Sequence, residues 1–144
     1  MTMNVDECVF CAIVAGRLPA DIVWADALTL AFVDLRQAVP GHVLVVPRAH
    51  LADVRELDAS TGAAVMATVV RLTRAVATSF PHEGISLWHS IGPAAFQEVP
   101  HLHIHVQARR TDDGLLRVYP AEPENAPACE RAALADRLRA ALGT

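Results

Sequence analysis

The stretch His101-Leu102-His103-Ile104-His105-Val106 decides how the rest of the chain is read. Leu, Ile and Val at alternate positions predict a strand, and successive side chains of a strand point to opposite faces. The three imidazoles therefore share one face and the aliphatic side chains the other. Same-face neighbours lie about 6.5 Å apart, so one small anion can touch two of the rings. A lone histidine is ordinarily a satisfied structural residue. Three on one face would need many polar partners if they were buried for structure alone. The alignment therefore points to chemistry: a metal, a phosphate or a nucleophile. A single ion held by all three rings is excluded on a regular strand. His101 and His105 would stand about 13 Å apart, whereas the ligand atoms of a tetrahedral ion with bonds near 2.1 Å span only about 4 Å.

Composition sets the frame around that strand. With 144 residues, 53% hydrophobic and 19% charged, the chain is expected to form one globular domain over residues 1–144. A net charge of −4 gives no broad footprint for DNA or RNA, although a local pocket could still take a single nucleotide. No apolar run approaches the roughly 20 residues of a membrane span. Met1 to Glu7 is polar and acidic, unlike the start of an export signal, so a cytoplasmic location is expected. Cys8, Cys11 and Cys129 are an odd set with one C-x-x-C pair, which suits reduced thiols.

Further along the chain, residues 8–15 predict a short helix stopped by Gly16 and Pro19. Residues 22–24 and 28–33 read as strands about a turn at Ala25-Asp26, and 42–46 as a central strand between Pro40-Gly41 and Pro47. A helix start lies near Asp58, and Val65, Val69, Leu72 and Val76 form one apolar stripe that Pro81 closes. Residues 84–90 and 101–108 complete the strands. The irregular segment holding Pro120, Pro123 and Pro127 leads to a last helix at 128–142. The expected class is α+β: an antiparallel sheet of about five strands, one long helix, a short N-terminal helix and a C-terminal helix.

Three segments in order, CVFCAIVAGRLPA, AFVDLRQAVPGHVLVVPRAH and GPAAFQEVPHLHIHV, resemble the histidine triad (HIT) superfamily, closest to its Hint-like nucleotide-binding branch. The likeness covers about residues 8–108 as a core, leaving 109–144 as a C-terminal extension. It implies a homodimer that binds a nucleotide of the adenosine or guanosine monophosphate type. The implied reaction cleaves a nucleoside monophosphate from a phosphoramidate or adenylate through a covalent nucleotidyl-histidine, with no metal at the reacting phosphorus. Dinucleoside polyphosphate hydrolysis, and a nucleotide-binding module with little turnover, are the alternatives.

By the same resemblance His103 is the nucleophile, and His105 contacts phosphate oxygens or moves a proton. His42 is a fourth active-site histidine, unless it is a surface residue at the start of its strand. Asp34 would take the ribose hydroxyls, or cap the turn Leu35-Arg36-Gln37. Gln97 and Ser90 would contact phosphate. Phe96 stands where the family has glycine, Glu98 where the branch has serine, and Gln107 at the last apolar position of the triad motif. Cys8 and Cys11 have zinc-ligand spacing, or are two buried thiols. The resemblance supplies His50 and His101 as the remaining ligands of a structural zinc. His82, His89 and Cys129 are read as structural or surface residues.

Overall fold

In a computed structural model the residues described are 4–143; residues 1–3 of the polar N-terminal stretch and residue 144 lie outside them. The chain divides into two compact units, Met1–Asp113 and Gly114–Thr144. The first holds α1 (Val9–Val14), β1 (Ile22–Ala25), β2 (Thr29–Val33), β3 (His42–Pro47), α2 (Ala59–Ser79), β4 (Gly84–Trp88) and β5 (Ile104–Arg109). The second holds α3 (Ala128–Leu142), ended by Gly143 in the left-handed region at φ 75°. Leu134, Leu138 and Leu142 on α3 are all exposed. No described helix is long and apolar enough to cross a membrane.

The five strands form one antiparallel sheet in the order β1-β2-β3-β5-β4. The unbroken apolar run of β3 is explained by its position, because it is third of five and buried on both faces. Val43 and Val45 point with Ala31, Val106 and Ala108 toward Val65, Val69, Leu72 and Val76 of α2. Leu44 and Val46 point the other way, with Leu30 and Phe32, toward Cys8, Phe10 and Cys11 around α1. Asp58 caps α2 by accepting the Thr61 amide at 2.8 Å, leaving one fewer unpaired N–H in the first turn.

The histidine segment divides between ladder and loop. The strand expected over 101–108 is a ladder only from Ile104, because β3 runs out opposite at Pro47, which has no N–H to give. The Leu102 amide instead donates to Leu51 O at 2.6 Å. Period-two alternation survives the change: Ile104, Val106 and Ala108 face α2, and the imidazoles take the opposite face. Gln107, the departure from the apolar pattern, is buried and donates to Val39 O at 2.9 Å, so its amide costs little there.

Gly41 makes the turn into β3. It has φ 107°, and a Cβ there would sit 3.0 Å from both Ala108 Cβ and the Phe80 ring. Gly16 also has positive φ, at 72°, but nothing lies within 4 Å of its Cβ position. Gly41→Ala is therefore expected to destabilise by about 2–4 kcal/mol, from backbone strain plus overpacking. Gly16→Ala should cost only about 1 kcal/mol. Paired chemical-denaturation curves check the difference, and equal losses would contradict it.

Candidate active site

Four histidines meet where β3, β4 and β5 come together under α1. His103 lies just before β5, and His105 follows two residues later on the same face. Their rings stand 4.9 Å apart at 64°. Phe10 of α1 presents its edge to the rings of His101, His103 and Phe32. His42 opens β3, and its Nε2 lies 2.8 Å from His105 Nδ1.

Backbone carbonyls fix the protonation pattern. A carbonyl can only accept, so the ring nitrogen facing it carries the hydrogen. His103 Nδ1 donates to His101 O at 2.7 Å, which leaves the His103 Nε2 lone pair free for attack. His42 Nδ1 donates to Arg36 O at 3.2 Å. Its Nε2 then accepts from His105 Nδ1, so both rings are neutral in this arrangement. Burial is the first cause that holds His42 and His103 below the ordinary histidine value. Burial, followed by the neighbouring His103 and His42, pushes His105 down to about 3.

Asp34 directly follows β2. Its Oδ1 accepts the Arg36 amide at 2.7 Å, and its Oδ2 stands 4.0 Å from His42 Nδ1. The aspartate thus caps its turn and also faces the histidines. It borders a cavity of about 220 Å³ walled by apolar residues including Phe10, Ile13, Phe32, Leu44 and Val99. Glu98 makes a two-pronged contact with Arg36, closest at 2.6 Å, so its charge is matched at the edge of the site. Phe96 adopts φ 63°, the left-handed conformation its glycine-like position calls for, with its ring 88% exposed. Gln97 accepts from Gly92 N and donates to Ala52 O, each at 2.9 Å; its amide holds the loop. Ser90 is half-buried in the segment after β4.

A second cluster lies behind the first. One ligand atom from each of Cys8, Cys11, His50 and His101 falls within 4.8 Å of all the others. His101 Nδ1 is 3.5 Å from both sulfurs, and His50 Nδ1 is 3.1 Å from Cys11 Sγ. A tetrahedral zinc with ordinary bond lengths separates its sulfur and nitrogen ligands by about 3.5 Å. His101 Nε2 donates to Pro47 O at 2.9 Å, which turns the Nδ1 lone pair toward the thiols. Burial and the neighbouring Cys8 push the Cys11 thiol up to about 11, so a thiolate there needs a cation beside it. The four residues fit a metal ion.

Trp88, His89 and Phe10 were not singled out as site residues from the sequence. Trp88 stacks on His105, and His89 Nδ1 donates to His103 O at 3.1 Å while its Nε2 accepts from Val54 N. The adjacent Trp88-His89 pair at a strand end was the available signal.

The HIT domain pattern matches residues 15–112. The chain belongs to the HIT-domain family. An adenosine 5'-monophosphoramidase of Schizosaccharomyces pombe is 33% identical over 122 residues, which cover 82% of this chain and 89% of that protein. An adenylylsulfatase of Arabidopsis thaliana is 30% identical over 110 residues, 76% of this chain and 56% of that one. A HIT family protein of Bacillus anthracis, known from its crystal structure, superposes with a TM-score of 0.87 at 27% identity, over 94% of this chain and 97% of that one. The antiparallel α+β architecture of this chain is thus that of the HIT fold.

The low histidine values give a sign to the pH dependence of stability. The unfolded chain protonates its histidines near pH 6.5, whereas folded His105 waits until about 3. Between those limits the unfolded state binds more protons, so stability falls as pH falls. The slope is at most about 1.4 kcal/mol per pH unit for each ring. Unfolding free energy is expected to hold above pH 7 and to decline from 6.5 toward 4. His105→Gln should flatten that decline, and an unchanged slope would contradict the assignment.

Proposed function

We propose that this HIT-domain chain cleaves a nucleoside monophosphate from a phosphoramidate or related adenylate, through a covalent nucleotide on His103. The observation that carries the reading is the 2.7 Å bond from His103 Nδ1 to His101 O. It leaves Nε2 as a neutral nucleophile among neighbours suited to an anionic phosphorus centre. The relatives named as a monophosphoramidase and an adenylylsulfatase support the same class of substrate.

In the first step His103 Nε2 attacks the phosphorus, and the bond from phosphorus to the leaving group breaks. The leaving atom departs with a proton from His105 Nε2, once the His42–His105 pair has taken one up from solvent. In the second step water attacks phosphorus. The pair, now neutral, accepts the water proton, and the His103–phosphorus bond breaks. Asp34 would receive the ribose hydroxyls as a two-oxygen acceptor, with the base in the adjoining apolar cavity. At about 220 Å³ that cavity is smaller than the roughly 300–1,000 Å³ typical of sites for drug-sized ligands. Its size favours one nucleoside over two, and so a mononucleotide over a dinucleoside substrate. Gln97 and Ser90 would act around the phosphate through the loop that they help form.

Zinc is the metal proposed for Cys8, Cys11, His50 and His101. Bound there it would have a structural role, tying the N-terminal segment to the loop that orients His103. A homodimer is proposed from the resemblance. It agrees with the place of β4 at the sheet edge, where one side of the backbone is left to pair. The proposed location is the cytoplasm, where the thiols of this chain would stay reduced.

His103→Ala is expected to lower turnover of an adenosine phosphoramidate by at least about a thousandfold, the scale of losing a covalent nucleophile. A phosphorus-labelled adduct trapped on His105 instead would overturn the assignment of roles. For the second cluster, elemental analysis should find about one zinc per chain. Cys11→Ser should lose the metal and melt at a lower temperature. Protein purified without chelator and free of zinc would dispose of that site.

A further inference from the structure

Trp88 is the last residue of β4 and the direct cross-strand partner of His105 on β5, so both side chains stand on the same face. The indole and imidazole planes lie 2° from parallel, with centroids 4.1 Å apart. His42 stacks on the same indole at 5.5 Å and 30°. One aromatic face thus supports both rings of the hydrogen-bonded pair that the proposed reaction uses for its proton.

The hydrogen-bond direction shows why a face is needed. With His42 Nδ1 donating to Arg36 O and His105 Nδ1 donating to His42 Nε2, the neutral pair leaves His105 Nε2 with a lone pair only. It cannot donate to a leaving atom or to a phosphate oxygen until the pair takes up a proton. The groups facing it mostly resist that charge. They are His103 on its own strand segment, His89 after β4 and the Arg36 guanidinium from the loop after β2. Asp34 is the facing carboxylate, 4.0 Å from His42, while Glu98 is matched to Arg36. An indole face is electron-rich and attracts a cation stacked on it more strongly than the corresponding neutral ring.

We propose that Trp88 is a positioning residue for the group-transfer reaction: its indole face holds the His105 ring in plane and stabilises the cation that the His42–His105 pair becomes when protonated. This inference rests on the function proposed above. It makes Trp88 matter for the step that moves a proton and little for nucleotide affinity.

The test uses the full chain in a Trp24→Phe background, so that Trp88 is the one indole and its fluorescence reports the stack. Fluorescence is expected to be quenched as pH falls and the stacked pair takes a proton. His105→Gln is expected to abolish that titration. With an adenosine phosphoramidate, Trp88→Leu should lower kcat about tenfold and leave KM within about threefold. It should also move to lower pH the limb on which kcat falls as the pair loses its proton, while Trp88→Phe, which keeps an aromatic face, restores most of the rate. An indole signal that titrates unchanged in His105→Gln would overturn the proposal, as would a Trp88→Leu enzyme with the parent kcat and pH profile. Should Trp88→Leu not fold, the Trp88→Phe profile and the His105→Gln titration decide. A parent protein with neither turnover nor adduct overturns the catalytic reading instead; the fluorescence titration then judges the stack alone, its presence supporting the cation-holding role and its absence ending it.

Discussion

Backbone carbonyls decide what four imidazoles of this protein can do. His101 O takes the Nδ1 hydrogen of His103, Arg36 O that of His42, His103 O that of His89, and Pro47 O the Nε2 hydrogen of His101. A buried neutral imidazole has one donor and one acceptor, so pinning the donor aims the lone pair. The contacting rings of His42, His105, His103 and His89 would otherwise exchange hydrogens among several arrangements. With these acceptors in place, His103 keeps its lone pair on Nε2, and His101 turns its lone pair on Nδ1 toward the thiols. The chemistry follows from main-chain geometry before any substrate is considered.

The two clusters are mechanically joined. His101 contributes its Nδ1 to the thiol cluster and its carbonyl to His103, so one residue sits in both arrangements. Phe10, between Cys8 and Cys11 in sequence, wedges its ring edge-on against His101 and His103. Cys11 and this wedge lie on the six-residue helix α1, and Cys8 is its N-cap. So short a helix is marginal in isolation. It is held by the apolar face of β2 and β3 beneath it, through Leu30, Phe32, Leu44 and Val46.

Electrostatically, the histidine rings are held neutral, while Asp34 faces them as a carboxylate. Burial holds His42, His103 and His105 below their ordinary value, which favours the neutral rings. Glu98, which alone would repel an anionic substrate, is matched by Arg36 at the rim. That exposed pair adds little stability, and its value lies in cancelling a misplaced charge. Asp34 caps its turn, as one of its two sequence readings had it, and its other carboxylate oxygen faces His42.

Periodicity made much of this legible. The stripe Val65, Val69, Leu72 and Val76 marked α2, the apolar run 42–46 marked the central strand, and alternation at 101–106 put the imidazoles on one face. These are local regularities, carried by side chains a few residues apart, and they survive any arrangement of the rest. What they could not supply is contact between distant segments. The insertion of β5 between β3 and β4 brings Trp88 under His105 and His42 beside it, and no local pattern encodes a strand order. The end of the ladder at Ile104 likewise depends on Pro47 lying opposite. Local pattern was enough for the class of fold, the shared face of the triad and the candidate thiols. Which nitrogen of a ring holds its hydrogen depends on the acceptor that folding brings within reach, a carbonyl for His42, His89, His101 and His103 and a neighbouring ring for His105.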